Sequence, residues 1–428
     1  MGSCPLIFNL FPRYFNRVDE WASHLDHIAG MGFNYIYVNP FHATGFSGSL
    51  YAVQDYYRLN PFFLNRDQDP ADWTPLKTFV AECEKRDISV MMDLVINHTA
   101  VDSVLVDSHP QWFAHDNNGS VISPFAIDPG NAGKVTVWGD LAKIDHEGTQ
   151  DKVGLRSFFD DLVRFFQDMN IRSFRCDAAY QVPADFWQFL IVAAKMRYAD
   201  TLFFAETLGC RLDQIEALKN TGFDYLFNSS KWWQFDAPWC LEQHESNRRI
   251  APSISFPETH DTERLAGDHP GTVEIQKARY VLAALFSEGL LITMGFEYGA
   301  RIKTDVVKGT PGDAQEEHQW DISRWICETN RLKQSIPVLC EEGSWEPLWG
   351  YDDQFFFMEK QSARGNDAVL VGINKKKEPR PPPAVSPYLP DKLKEYKTII
   401  RPCLSPAQRQ PFSPPLTFGP GEIVIFVK

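Results

Sequence analysis

Between residue 6 and about residue 300, short and nearly uninterrupted apolar runs alternate with stretches whose apolar residues recur at helical spacing. This alternation limits the fold more than any other feature. The runs lie at 6–10, 34–38, 89–92, 171–175, 202–205, 223–226, 253–256 and 290–294. Helical patterns fall at 21–30, 76–85, 154–170, 185–199, 212–219 and 273–287. A strand that is apolar at almost every position has both faces covered, which is the environment of a parallel strand under helices. Eight such strands in repeated strand–helix units predict an α/β protein, a closed (β/α)8 TIM barrel. On pattern alone an open, doubly wound parallel sheet remains the alternative.

One interval breaks the rhythm. After the helix at 154–170 is assigned, about 50 residues, 99–150, are left between the third and fourth strands, rich in Asp, Gly, His and Pro. A structureless loop of that length is unusual in a compact domain, so a small inserted domain is expected there. After about residue 340 helical periodicity disappears and strand-like runs replace it at 354–358, 368–373, 398–400 and 422–427. The segment 379–420 holds 12 of the 29 prolines, which excludes helix and confines strands to edges. The expected domains are a barrel at 1–98 and 151–340, an insertion at 99–150 after the third strand, and a C-terminal antiparallel β-sandwich at 341–428.

Composition excludes several function classes. Asp and Glu outnumber Lys and Arg, 56 to 42, and the net charge of −14 argues against nucleic-acid or anionic-membrane partners. No apolar run approaches the roughly 18 residues of a membrane span. The first residues lack a basic stretch followed by an apolar one, and the eight cysteines are scattered with no CxxC pair. A reduced, cytoplasmic protein is the expectation. There is no GxGxxG after a strand and no GxxxxGK[ST], so neither hydride transfer nor P-loop chemistry is suggested. Aromatic residues make up 14%, with 12 tryptophans. That excess serves a large core or flat sugar rings.

Catalytic groups of such a barrel project from the C-terminal ends of its strands. After the third strand come Asp93, Asn97 and His98. Arg175 and Asp177 end the fourth, Glu206 ends the fifth, and Glu258, His260 and Asp261 follow the seventh. One such Asp is commonly a helix cap. Several carboxylates on one rim repel one another, and that cost points to function. Two carboxyls are the minimal apparatus for glycoside cleavage.

The motifs Asp93-Leu94-Val95-Ile96-Asn97-His98, Arg175-Cys176-Asp177-Ala178-Ala179, Ala205-Glu206-Thr207 and Glu258-Thr259-His260-Asp261-Thr262 resemble, in order and spacing, the four sequence regions of the α-amylase family, glycoside hydrolase family 13. Ser49 to Tyr56 resembles the family's segment after the second strand, and Gly295 to Gly299 its turn after the eighth. The resemblance covers about residues 5–340. It implies that Asp177 is the nucleophile, Glu206 the acid/base and Asp261 the third carboxylate. Arg175 would hold Asp177 ionised, His98 and His260 would bond the sugar, and Tyr51 would stack beneath it. Retention of α configuration follows, with the Asp177 and Glu206 carboxyls roughly 5–5.5 Å apart.

Further implications concern ligands. Many members carry Lys-His after the nucleophile, where this chain has Tyr180-Gln181, so acceptor binding differs. Trp232, Trp233 and Trp239, with Tyr180, are candidates for outer sugar subsites. Asn97 would be the ligand of a structural calcium ion, and the chemistry itself needs no cofactor. The expected substrate is an α-1,4-glucan or maltooligosaccharide, hydrolysed with competing transglycosylation. The alternative is a 4-α-glucanotransferase or maltosyltransferase, since Ser49 to Tyr56 and His109 to Phe113 also resemble maltosyltransferases that use maltose 1-phosphate. Those enzymes lack the histidine before the third carboxylate, whereas His260 is present here. A non-catalytic glucan-binding member is disfavoured because all three carboxylates are present.

Overall fold

The eight apolar runs close into one parallel barrel in a computed structural model that describes residues 4–128, 131–349, 354–376, 392–404, 407–413 and 416–428. Its strands are β1 (Leu6–Leu10), β2 (Tyr35–Val38), β3 (Ser89–Leu94), β4 (Ser173–Cys176), β5 (Leu202–Glu206), β6 (Tyr225–Phe227), β7 (Ser253–Ser255) and β8 (Gly289–Thr293). Each pairs with its sequence neighbours, and β1 closes the ring onto β8. The open-sheet alternative is thereby excluded.

Alternation along each strand sorts side chains into two apolar layers. Ile7, Tyr37, Met91, Phe204, Phe227, Ile254 and Leu291 fill the barrel interior. Leu6, Phe8, Ile36, Met92, Phe174 and Phe203 pack outward against the helices. Both layers are apolar, which is why the strands read as continuous runs rather than as alternating ones. Register then sets the height of each residue. Arg175 on β4 pairs with Asp93 on β3 and with Phe204 on β5. Inward residues two apart on one strand, Met91 and Asp93 or Phe204 and Glu206, therefore stack apolar below and charged above.

Helices Thr74–Glu84, Lys152–Gln167, Ala184–Arg197 and Val273–Phe286 follow the expected pattern. Two others, Pro238–Asn247 and Ser323–Ser335, escape the sequence reading. Polar groups on the buried face of the second hide its periodicity: Thr329, Asn330 and Lys333 are all buried. Lys333 is satisfied by the backbone carbonyls of Ala284, Ser287 and Leu339.

Between β3 and β4, the short strand His98–Ala100 pairs antiparallel with Leu141–Lys143, and Phe125–Asp128 forms a hairpin with Asn131–Val137. After the barrel come β9 (Trp345–Trp349), β10 (Phe355–Gln361), β11 (Ala368–Asn374), β12 (Thr398–Arg401), β13 (Gln408–Pro411) and β14 (Ile423–Val427). They form one antiparallel sheet in the order β9-β10-β11-β14-β12-β13. One face, including Phe356, Met358, Val369 and Ile425, joins the barrel's outer core. The other, with Phe355, Phe357, Leu370 and Phe426, is covered by Tyr396, Leu416 and Phe418. Among the described residues this second face is closed by those side chains and not by a second sheet. Residues 379–391 of the proline-rich excursion lie outside the described residues. Among those described, no helix is long and apolar enough to cross a membrane.

Candidate active site

Five charged side chains meet at the C-terminal end of the barrel: Asp93, Arg175 and Glu206 from inward positions at the tops of β3, β4 and β5, Asp177 just after β4, and Asp261 on the loop after β7. Arg175, almost fully buried, is the cation among them. Its Nη1 donates to both oxygens of Asp93, at 2.8 and 2.9 Å, and to Asp177 at 2.9 Å. Asp261 Oδ2 lies 3.9 Å from its Nη2. Asp93 also accepts from the hydroxyls of Tyr37 and Tyr51, the latter at 2.7 Å. Such a buried carboxylate is tolerable only with this many donors.

Asp177 follows β4, its amide donating to Leu94 O at 3.1 Å. Ala178 beside it has φ +41°, in the left-handed region that non-glycine residues avoid. That conformation aims the Ala178 N–H at Glu206 Oε2, 3.1 Å away, while Glu206 Oε1 accepts from Leu208 N at 2.8 Å. The Glu206 carboxyl is thus tied to the backbone just after Asp177, while the Asp177 carboxyl is held by Arg175. Burial pushes Asp177 well above the usual carboxylate range; Arg175 opposes it, and Asp93, Glu206 and Asp261 add to it. Burial also raises Glu206, with Arg175 again opposing and Asp261 adding. Two carboxyls raised together favour sharing one proton. Arg175 contacts Asp177 directly and opposes its protonation.

Asp261 stands on the loop after β7 and is half-exposed. Enclosure by the pocket wall alone would raise its carboxyl. His260, with Nε2 3.1 Å from Asp261 Oδ2, together with Arg175 and Lys303, pulls it down to about 2. His260 Nε2 also meets the Tyr51 hydroxyl at 2.7 Å, and the two rings lie nearly parallel. The Tyr51 hydroxyl is therefore engaged by Asp93, His260 and Asn39. His98 sits behind Tyr51, its Nε2 3.1 Å from Tyr51 O. Burial lowers it to about 4, so it is neutral and donates from Nε2. Arg175, Glu206, His260 and Asp261 line one pocket with Tyr37 and Phe227.

The structure separates the outer residues. Trp232 is exposed and lines a cleft that continues from Asp261 past Lys231 and Lys303. Tyr180 is half-buried on the turn after Asp177; burial first and Glu206 second raise its hydroxyl. Trp239 is exposed on helix Pro238–Asn247. Trp233 is a correction: it is 1% exposed and packs against Phe235, His244 and Phe286, so it is core and no sugar platform. The chain turns through Ser230–Trp232 just before it, which sends the two adjacent indoles in opposite directions. Glu258, grouped with the rim carboxylates in sequence, turns inward to a fully buried ion pair with Arg264, 3.0 Å apart.

Asn97 is buried and its Oδ1 has no hydrogen-bond partner among the described residues. Calcium takes six to eight oxygens. Among the described residues no group of three or more His, Cys, Asp or Glu could hold a metal ion. The sequence places Asp93 at the rim but does not reveal Tyr37, which donates to it, or Asn39, which donates to the Tyr37 and Tyr51 hydroxyls. The one signal is that Tyr37 sits at an inward position near the top of β2, level with Met91.

A family profile described as the glucanotransferase domain of glycogen debranching enzyme matches residues 6–127. The chain is 25% identical over 391 residues to an alpha-1,4-glucan:maltose-1-phosphate maltosyltransferase of Burkholderia pseudomallei, covering 86% of this chain and 33% of that protein. It is 22% identical to a cyclomaltodextrinase of Geobacillus thermopakistaniensis, covering 83% and 61%. It spans between 33% and 56% of the length of three matched maltosyltransferases. Among solved structures, the α-amylase of Geobacillus thermoleovorans complexed with acarbose superposes with a TM-score of 0.77 over 100% of both chains at 18% identity. An α-amylase of Lactobacillus plantarum gives 0.75 over 99% and 98% at 20% identity. These likenesses establish the fold.

Proposed function

We propose, taking the chain's membership of the α-amylase family as premise, that it is a retaining α-glucan-active enzyme that passes glycosyl units to a sugar hydroxyl, with water as a competing acceptor. The observation that carries this is the Arg175 cluster, in which one guanidinium nitrogen bridges Asp93 and Asp177 while Glu206 is tied to the Ala178 amide. Asp177 attacks the anomeric carbon of an α-1,4 bond as Glu206 gives its proton to the departing glycosidic oxygen. A β-glycosyl ester on Asp177 results. Glu206, now ionised, takes the proton of the incoming hydroxyl. That oxygen attacks the anomeric carbon, the ester bond breaks, and Asp177 leaves as a carboxylate. Two inversions retain the α configuration. Asp261, held ionised by His260, faces the ring hydroxyls as positive charge develops.

Transfer rather than plain hydrolysis is favoured by the maltosyltransferases among the relatives. The hydrolytic reading keeps one observation in its favour. His260 contacts both Asp261 and Tyr51, and the sequence resemblance associates that histidine with ordinary glucan-acting amylases. Incubation with maltoheptaose decides between them. Chains redistributed in length with no net rise in reducing ends support transfer; a steady rise supports hydrolysis. Release of inorganic phosphate from maltose 1-phosphate in the presence of glycogen identifies the donor as the phosphate ester. A chain inert on all of these overturns the reading.

A further inference from the structure

At the opposite end of the barrel from the carboxylates, two cysteines from the extremes of the domain meet. Cys4 lies just before β1, and Cys340 ends the turn Pro337–Cys340 that leads into β9. Their sulfurs are 2.7 Å apart across a sequence separation of 336 residues. The disulfide bond itself is about 2.0 Å long, so the pair needs only a small approach. Cys4 is buried and Cys340 is partly open to solvent. Cys340 Sγ also lies 3.5 Å from Lys333 O, inside the pocket that holds the buried ammonium groups of Lys333 and Lys360. The Cys4 S–H lowers the Cys340 thiol, burial opposes it, and Lys333 and Lys360 add to the lowering. Cys4 is pushed upward, chiefly by its bond to Cys340 and by burial. One sulfur is thus reached by solvent and the other is a resolving thiol in contact with it, the arrangement that thiol–disulfide exchange requires.

We propose that Cys4 and Cys340 form a reversible disulfide, made by exchange with a small-molecule disulfide of the glutathione type, that locks the first barrel strand to the start of the C-terminal sheet. The Cys340 thiolate attacks one sulfur of the oxidant, forming a mixed disulfide and expelling one glutathione thiolate, which takes up the proton Cys340 has lost. The Cys4 sulfur then attacks Cys340 Sγ, expels the second glutathione and passes it the Cys4 proton. Two thiols are oxidised and one small disulfide is reduced to two thiols. The bond closes a loop around nearly the whole barrel, and long loops restrict the unfolded chain most.

The test uses the full chain and does not depend on its enzymatic activity. After incubation with oxidised glutathione, alkylation and non-reducing peptide mapping should give one crosslinked pair containing residues 4 and 340. Thiol titration should fall by two, and the thermal midpoint should rise by about 5 °C. Dithiothreitol should reverse all three. C340S should abolish the crosslink and the shift; C4S should do the same but leave glutathione attached to Cys340. Both thiols remaining fully alkylatable in the wild-type chain would overturn the proposal. So would a stable mixed disulfide on wild-type Cys340 that Cys4 never resolves.

Discussion

Asp93→Asn isolates the one carboxylate of the cluster that does not face the proposed substrate. The Asp93 side chain is fully buried, and Arg175 Nη1 reaches both of its oxygens. Asparagine keeps the volume and one acceptor but turns an N–H₂ toward the guanidinium. Breaking a buried pair by removing one charge costs about 3–5 kcal/mol. Tyr37 and Tyr51 still donate to the remaining carbonyl, which favours the lower end, about 3 kcal/mol and roughly 3 °C in thermal midpoint. The second consequence is electrostatic. Asp93 is one of the charges that raise Asp177, and Arg175 opposes them. Without the Asp93 charge, Arg175 serves Asp177 alone and the nucleophile ionises more readily. The acid limb of kcat/KM, which reports ionisation of the essential base in the free enzyme, should move to lower pH. Calorimetry gives the stability change. Initial rates on a chromogenic maltooligosaccharide between about pH 4 and about pH 8 give the direction of the shift. A folded D93N protein whose acid limb stays put or moves to higher pH refutes the argument that Asp93 sets the nucleophile's charge through Arg175.

Three other variants test separate links. Asp177→Asn should lower turnover by at least about 10⁴-fold yet stabilise the fold at neutral pH. A carboxyl raised in the folded state favours folding while protonated, so its penalty is absent below about pH 4 and grows as pH rises. The gain in midpoint over wild type should close as pH falls toward about 4, and a gap that widens on acidification contradicts the assignment. Glu206→Gln should slow cleavage of maltooligosaccharides by about 10²–10⁴-fold but spare formation of the glycosyl ester from α-maltosyl fluoride, whose leaving group needs no proton; equal losses on both substrates would remove Glu206 from the acid role. Trp232→Ala should raise KM for longer oligosaccharides with stability unchanged within about 0.5 kcal/mol, whereas Trp233→Ala should cost about 3–5 kcal/mol by opening the core. Calorimetry together with KM measured against chain length separates the pair, and the reversed pattern would overturn the orientations of the two indoles.

What was legible in the sequence follows from how each feature is encoded. The barrel strands were legible because both of their faces are apolar, and Asp177 and Glu206 because each stands two residues beyond an inward position on its own strand. Such patterns are local, and a single segment carries them. The partners of Asp93 are not local. Tyr37 and Tyr51 reach it across 56 and 42 residues, and only the register of β2 against β3 brings Tyr37 to its level. Cys4 and Cys340 meet across 336 residues for the same reason. Trp232 and Trp233 fail differently, since adjacent identical residues carry no information about which one the turn sends into the core. Helix Ser323–Ser335 was hidden because its buried Lys333 finds three carbonyls at the barrel's lower rim, a compensation no window of thirteen residues can display. The acidic excess has the same two-sided character. In composition it speaks only against polyanion partners. In space it places four carboxylates near a single guanidinium, and the charges of Asp93, Glu206 and Asp261 all bear on the ionisation of Asp177, which is why the D93N pH profile tests the cluster as a unit where loss of activity alone would not.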